Sequence, residues 1–142
     1  MLGVVLVSNV EFKDYSVQVK STLQDLAVSF LYEAGGEIES GAKRNSRVKT
    51  SKTKGSFRHI VDESGLSAHI GSDEENAIWE EFGTGLYAIN GDGRKGGWFY
   101  VDDEGKGHFT RGKRPSRALW NAFMSLRGTI ESMARERFGD LK

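Results

Sequence analysis

The sequence predicts an α+β fold in which a mostly antiparallel β-sheet packs against a long helix in the N-terminal half and a second helix near the C-terminus. Apolar residues recur at steps of three and four from Leu23 to Ala42 and again from Leu119 to Phe138, as in helices with one buried face. Short runs that alternate apolar and polar residues lie between these helices and indicate strands. This order, without a repeat or linker, is typical of helices on one face of an antiparallel sheet.

Length and composition bound the class of protein. The chain has 142 residues, which predicts a single domain over residues 1–142. Lys and Arg total 20, as do Asp and Glu, and this balance disfavours a globally basic nucleic-acid binder or a polybasic membrane protein. The chain contains no cysteine, which excludes disulfide scaffolds, Cys-type zinc sites and thiol nucleophiles. No apolar run is long enough to cross a bilayer, so no membrane contact is expected.

The first half of the chain is expected to hold a strand, the long helix and a loop. Residues 2–19 alternate nearly enough to predict strand. Gly35 and Gly36 interrupt the helical stripe at about 1 kcal/mol each relative to Ala, which predicts a kink or a weak middle. Residues 43–55 are polar, basic and without periodicity, so we expect a loop that is poorly ordered in an isolated monomer.

The second half is expected to hold hairpins, a glycine-rich stretch and the last helix. Residues 77–82 predict a short helix or strand, and nine of the 18 glycines follow between residues 83 and 112. Pro115 and Ser116 open the last helix, with Ser as a cap, and Gly139 ends it. Two hairpins are predicted, one from residues 57–61 and 66–70 and one from residues 98–101 and 107–110.

Charged residues are segregated along the chain. Seven basic residues and no acid lie in 40–61, eight acids and no Lys or Arg in 59–93, and six basic residues and no acid in 105–130. The blocks either neutralise one another inside one subunit or join a positive surface of one subunit to a negative surface of the next. The second arrangement closes into a ring where the rotation permits. The charged residues assigned to subunit contacts or loop placement are Lys49, Lys52, Lys54, Glu74, Glu75, Arg114 and Arg117.

A third interpretation is phosphate binding by the basic stretch 43–58. No aromatic residue stands between Lys43 and Lys54 to stack on bases, so sequence-tolerant binding of single strands is not supported. Non-specific contact with the backbone of duplex DNA stays open. A small DNA-binding module is therefore the alternative function.

No motif carries a catalytic or metal-binding pattern. Residues 91–96 match G-x-G-x-x-G, but a strand-like run follows where a dinucleotide site needs a helix. The three histidines, His59, His69 and His108, lack metal-ligand spacing, and the first two are expected at exposed sheet positions. We therefore predict a protein without catalysis, cofactor or metal.

The most distinctive local feature is the pair Trp79 and Phe82 followed by the turn Gly83-Thr84-Gly85. One interpretation is a core aromatic pair capped by a tight turn, for which glycine supplies unusual backbone angles. The other is that the turn begins a protruding loop, ending at Gly97, that reaches a neighbouring subunit. Both interpretations can hold together.

These residues resemble a phage family. Residues 78–85 (Ile-Trp-Glu-Glu-Phe-Gly-Thr-Gly) are similar to the Glu-Phe-Gly-Thr signature of the tail-completion, or head–tail joining, proteins of long-tailed phages. Residues 67–72 (Ser-Ala-His-Ile-Gly-Ser) resemble the family's Ala-x-Val-Gly-Thr strand, and residues 112–119 (Gly-Lys-Arg-Pro-Ser-Arg-Ala-Leu) resemble the Arg-Pro segment that opens its last helix. The family's upstream Pro-Val-Asp is missing, and Ser116 replaces the usual Phe, which leaves the subtype unassigned.

The resemblance spans residues 20–138 and implies a virion structural protein of a bacteriophage or prophage. Such a protein is assembled in the host cytoplasm and completes the tail, or joins it to the head, without catalysis. It implies a homo-oligomeric ring, a hexamer by likeness to the family, with other phage neck and tail proteins as partners and contact with phage DNA left open. In that setting, loops 43–56 and 85–97 are expected to make the contacts between subunits.

Overall fold

The computed structural model describes residues 3–7, 10–47 and 51–139. It confirms the α+β class, with the long helix in the N-terminal half and the second long helix at the C-terminal end. The elements in chain order are β1 (Gly3–Val7), β2 (Val10–Asp14), α1 (Ser16–Asn45), α2 (Ser51–Ser56), β3 (Phe57–Asp62), β4 (Ser67–Ser72), α3 (Glu75–Phe82), a 3₁₀ turn (Gly85–Tyr87), β5 (Trp98–Val101), β6 (Gly107–Thr110) and α4 (Ala118–Phe138).

The strands pair antiparallel as three separate two-stranded sheets, β1–β2, β3–β4 and β5–β6. The two hairpins predicted downstream of residue 56 are confirmed. Phe57 pairs with Ser72 at the open end of β3–β4, and Trp98 pairs with Thr110 at the open end of β5–β6. Each two-stranded sheet therefore has to pack against other elements, because an isolated hairpin is marginally stable in water.

The strand prediction for residues 2–19 is wrong beyond Asp14. The chain turns there and enters α1 at Ser16, whose backbone N–H donates to Oδ1 of Asp14 at 2.9 Å. Val17 and Val19 alternate in sequence but are both more than half exposed in the first turns of the helix. An alternating pattern indicates a strand when one of its two faces is buried, and here neither Val17 nor Val19 is buried.

Helix α1 runs uninterrupted through Gly35 and Gly36, so the two glycines do not end or divide it. Gly35 is buried against β3, and a Cβ built on it would lie 3.1 Å from Cβ of His59. The glycine lets the strand approach the helix closely, which offsets its low helix propensity.

The core is built of small residues where α1 crosses β3 and α4. Phe57 packs there with Ala42 and Ala122, and a Cβ on Gly41 would lie 3.0 Å from that of Ala122. Within the described ranges, no large side chain is completely buried. The buried hydrophobic residues are Ala34, Ile38, Ala42, Phe57, Ala77, Ala118 and Ala122.

The loop predicted at residues 43–55 is largely helical. Its first three residues belong to α1, and residues 51–55 belong to α2. Thr53 and Ser56 of α2 are buried, and the Ser56 hydroxyl is bonded to that of Ser72 on β4. These contacts join residues far apart in sequence, so local composition does not reveal them. Lys49, assigned to a subunit contact, lies outside the described residues.

None of the helices in the described ranges combines the length and the apolar character that a membrane span requires.

Candidate subunit interface

The signature segment at the end of α3 fixes the start of α4. Both carboxylate oxygens of Glu81 accept backbone N–H groups of the first turn of α4, from Leu119 and Trp120, each at 3.0 Å. Arg117, at the cap position, has left-handed angles (φ 55°) and makes no side-chain cap. A carboxylate at a helix N-terminus satisfies free N–H groups and is favoured by the helix dipole. Glu81 therefore caps a helix that lies 38 residues further along the chain.

Glu80, the preceding residue, anchors the segment that leads into α4. Glu80 is 7% exposed, and its carboxylate forms a salt bridge with Lys113. A second cation, Arg47, lies with Nη1 3.6 Å from Oε2 of Glu80. The Glu80 carbonyl accepts the backbone N–H of Ser116 at 2.7 Å and its hydroxyl at 3.1 Å. The prediction that Ser116 caps α4 is therefore wrong, because its hydroxyl is bonded to α3.

The turn after α3 lies against the chain that precedes α4. The backbone N–H of Thr84 donates to the Lys113 carbonyl at 2.9 Å, and the Lys113 N–H returns a bond to Oγ1 of Thr84 at 2.8 Å. Gly83 and Gly85 have positive φ angles of 75° and 59°. A Cβ on Gly83 would lie 2.8 Å from the Tyr87 carbonyl oxygen. The tight-turn interpretation of these glycines agrees with the backbone geometry.

Trp79 and Phe82 do not form a core pair. They are 48% and 40% exposed, which corrects the interpretation of both as core residues. Trp79 lines an open groove with Trp98 and Tyr100 of β5. Phe82 is not among the residues that line this groove, and the Arg117 guanidinium lies 5.6 Å from the centre of its ring. The cores of small α+β domains usually take such aromatics, and here the small residues of α1 and α4 occupy that place.

The charge blocks meet inside this chain. Lys52 of α2 pairs with Glu74 at 3.1 Å, and Arg58 of β3 pairs with Asp73 at 3.3 Å. With the bonds from Arg47 and Lys113 to Glu80, basic residues on both sides of the acidic block pair with it within one subunit. This geometry favours the interpretation that the blocks neutralise one another.

The remaining charged candidates have local partners or are exposed. Arg114 lies over the ring of Tyr87 at 4.7 Å, and its carbonyl accepts from Arg47 at 3.0 Å. Arg117 also approaches Glu81 at 3.9 Å. Glu75 is exposed in the first turn of α3, and Lys54 is half-buried on α2. The structure thus brings Glu80, Glu81, Lys113 and Arg117 together at one junction. Of these four, the sequence analysis assigned only Arg117 as a site residue.

Two histidines have carboxylate partners. Nδ1 of His59 lies 2.5 Å from Oε2 of Glu39, and its backbone N–H donates to the same oxygen at 3.0 Å. Hydrogen bonds from Lys43 and His59 hold the pKa of Glu39 below its ordinary value of 4.5. His59 is therefore half-buried between β3 and α1 rather than at an exposed position, whereas His69 is exposed as predicted.

The third histidine, His108, lies in the β5–β6 hairpin. Its Nε2 is 2.7 Å from Oδ2 of Asp102, and this contact, with the N–H of Lys106, lowers the pKa of Asp102. Among the described residues no group of three or more His, Asp or Glu side chains is placed to hold a metal ion. The His59–Glu39 pair joins β3 to α1, and the His108–Asp102 pair lies within the β5–β6 hairpin.

The β5–β6 hairpin has two different faces. Trp98 and Tyr100 lie on the face toward the groove, as the two-residue alternation of a strand requires. The other face is apolar and open to solvent: Phe99 is 80% exposed, Val101 69% and Phe109 52%, with Phe99 and Phe109 paired across the strands at 5.0 Å. Exposed apolar faces of this kind mark interaction sites.

The loop that was expected to protrude folds back on its own start. The backbone N–H of Ile89 donates to the Phe82 carbonyl at 2.9 Å. A Cβ on Gly93 would lie 2.8 Å from Cβ of Ala88 and would collide with the Gly85 carbonyl. Leu86 and Ile89 of this loop are about half exposed, and the β5–β6 hairpin that follows it presents the more exposed apolar residues Phe99 and Val101.

The whole chain exposes more surface than a monomer of its mass. Its accessible surface is 10,271 Å², whereas a globular monomer of 15.7 kDa exposes about 7,300 Å². The excess of about 3,000 Å² is of the size that a subunit with two neighbours buries in stable assemblies.

Comparison with known proteins adds no relative: no family model, curated protein or solved structure matches the chain significantly.

Proposed function

We propose that this protein is a virion structural subunit that completes the tail of a long-tailed phage, or joins it to the head, as a homo-oligomeric ring without catalysis. It is made in the host cytoplasm and incorporated into the particle, with other neck and tail proteins as partners. A hexamer is the ring size that the resemblance favours.

The observation that carries the proposal is the excess of exposed surface. The core consists mainly of alanines with one phenylalanine, while most large aromatic side chains lie partly outside it. A chain that leaves about 3,000 Å² more surface open than a monomer of its mass gains the missing burial by association.

The geometry of the signature segment supports the phage resemblance. In that segment, Glu80 and Glu81 bind the entry to α4, and Gly83 and Gly85 let two backbone segments meet. The signature residues act on architecture, as expected for a family that works by assembly.

Sedimentation velocity and negative-stain microscopy of the full chain test the ring. We expect a concentration-dependent oligomer between about 1 and 100 µM, the range of many specific assemblies, and closed rings in micrographs. A phage or prophage carrying the gene with an early stop codon should then yield separate heads and tails. Normal infectious particles from that mutant would overturn the proposal.

Duplex binding, measured at several salt concentrations, tests the alternative function. Contacts with phosphates give an affinity that falls steeply with salt. Lys43, Lys52 and Arg58 each have a carboxylate partner in this chain. We therefore expect the monomeric protein to bind duplex DNA weakly. Tight, salt-dependent binding by a monomer would favour the DNA-binding module instead.

A further inference from the structure

We propose that the outer face of the β5–β6 hairpin docks on the aromatic face of α3 and α4 of a second copy of this chain. The hairpin face consists of Phe99, Val101 and Phe109. The helix patch consists of Phe82, Trp120, Phe123 and Met124. This inference rests on the proposed function and deepens it by assigning the two surfaces that form each contact of the ring.

The hairpin face has no cover of its own. Its three residues are the most exposed or among the most exposed large apolar side chains on the described surface, whereas the opposite face turns toward the groove. A two-stranded sheet that presents its apolar side to water inverts the usual pattern, in which the outward face is polar. Such a face needs a partner of matching apolar character.

The helix patch is an exposed apolar stripe on α4 that continues onto α3. Trp120, Phe123 and Met124 recur at helical steps on α4 and are each 45–49% exposed. Residues of the other stripe, such as Ala122, pack on α1 instead. The Arg117 guanidinium lies 5.6 Å from the Phe82 ring and 5.1 Å from the Trp120 ring, so it joins α3 and α4 into one surface.

Charge complements the two surfaces. The hairpin tip carries the exposed acids Asp103 and Glu104 beside the exposed Lys106. The helix patch is bordered by Arg117 and Arg127, which pair within the chain with Glu81 at 3.9 Å and with Glu131 at 3.2 Å. Because a guanidinium has five N–H donors, both arginines can also bind carboxylates of the tip when the apolar faces come together, which helps to orient the contact.

Area and symmetry identify the occupant as a second copy. The excess of about 3,000 Å² suffices for two contacts per chain at about 800 Å² per partner or more. A contact between two different surfaces is heterologous and can propagate around a ring, whereas hairpin against hairpin would close at a dimer. The described residues include both the hairpin face and the helix patch, the two unlike surfaces that a ring requires.

A mixing experiment tests this pairing. Phe99→Asp removes the hairpin face, and Phe123→Asp removes the helix patch. Each variant alone should associate at least about tenfold more weakly than wild type, since buried aromatics dominate interface energies. An equimolar mixture should form a one-to-one dimer, because one intact hairpin face still meets one intact helix patch. Phe12→Asp, the same change at an exposed phenylalanine on β2 outside both surfaces, should leave association unchanged.

The outcomes separate this inference from the proposed function. Circular dichroism and urea unfolding establish that each variant is folded. If each variant alone still forms rings as the wild type does, or if the two variants stay monomeric when mixed, the pairing is overturned and the ring proposal stands. A wild-type chain that remains monomeric at about 100 µM would overturn both, since such a chain has neither ring nor contact.

Discussion

The β3–β4 and β5–β6 hairpins share one architecture and have opposite surroundings. Both are antiparallel pairs with short turns closed by an aspartate, Asp62 in the first and Asp102 in the second. Helix α1 covers the first hairpin and buries Phe57 and half-buries His59. The second hairpin turns Phe99 outward at 80% exposure.

The difference shows that the apolar residues of the two hairpins serve different purposes. In β3–β4 the residues that pack inward, such as Phe57, stabilise the subunit because they are removed from water within the chain, whereas Ile60 on the other face is 65% exposed. In β5–β6 the outward residues gain burial only from another molecule. Substitutions in the first hairpin should therefore change unfolding, and those in the second should change association.

The largest contrast is expected between Phe57→Ala and Phe99→Ala. Phe57 is 5% exposed among Ala42 and Ala122, so its loss should destabilise the monomer by about 3–5 kcal/mol. Phe99 contacts Phe109 across the strand but is mostly in water, so its loss should cost about 1 kcal/mol or less. Urea unfolding of both variants at a concentration where the protein is monomeric measures the two values. Equal costs would show that the second hairpin also belongs to the subunit core.

A smaller contrast is expected at the two adjacent glycines that face β3. Gly35→Ala would place a Cβ 3.1 Å from His59, which Glu39 holds in place, and we expect a net loss of about 1 kcal/mol. Gly36→Ala meets nothing closer than 3.9 Å and should gain up to about 1 kcal/mol from helix propensity. Thermal or urea unfolding decides the sign of each. Stabilisation by both changes would show that α1 and β3 are not tightly held together.

The smallest contrast concerns acid. The folded-state pKa of Glu39 lies below its ordinary value of 4.5, so its contribution to stability is complete above that pH and is lost as the pH falls through the folded-state value. Glu39→Gln should reduce the loss of unfolding free energy between pH 6 and pH 3 by an amount on the order of 1 kcal/mol.

Asp102→Asn is the matched control for Glu39→Gln. The pKa of Asp102 is lowered in the same direction, chiefly by the hydrogen bond with His108. Asp102 and His108 both belong to the exposed β5–β6 hairpin, so we expect Asp102→Asn to cause no measurable change in global unfolding at any pH. An effect of Asp102→Asn as large as that of Glu39→Gln would contradict the independence of the two hairpins.

Local patterns predicted much of the fold. The hairpin turns, the long apolar stripe of α1 and the stop at Gly139 are each specified by residues close in sequence, and each is present. The prediction of a loop in the basic segment was wrong because α2 is held by the buried residues Thr53 and Ser56, whose contacts include the bond of the Ser56 hydroxyl to Ser72, and not by an apolar stripe. Periodicity analysis has no signal for a helix of that kind.

The interface candidates were harder to predict for a physical reason. Trp79 and Phe82 have the composition of core residues, and only the position of α4 shows that small residues fill the core instead. Both glutamates belong to the segment that resembles the phage family. The role of Glu81 as the cap of α4, however, depends on a contact across 38 residues. The charge blocks were visible in the sequence, whereas the choice between pairing inside and between subunits needed the distances from Lys52 and Arg58 to their partners.

The cap that Glu81 supplies has a consequence for how the chain folds. Helix α4 lacks a capping side chain of its own, so its first turn is not completed by residues that lie next to it in sequence. The turn becomes stable only after α3 has docked, which couples two distant segments into one cooperative step and slows folding relative to a helix with a local cap. The amide hydrogens of Leu119 and Trp120 should consequently exchange with solvent at the rate at which α3 detaches, and not at the faster rate of a fraying helix end.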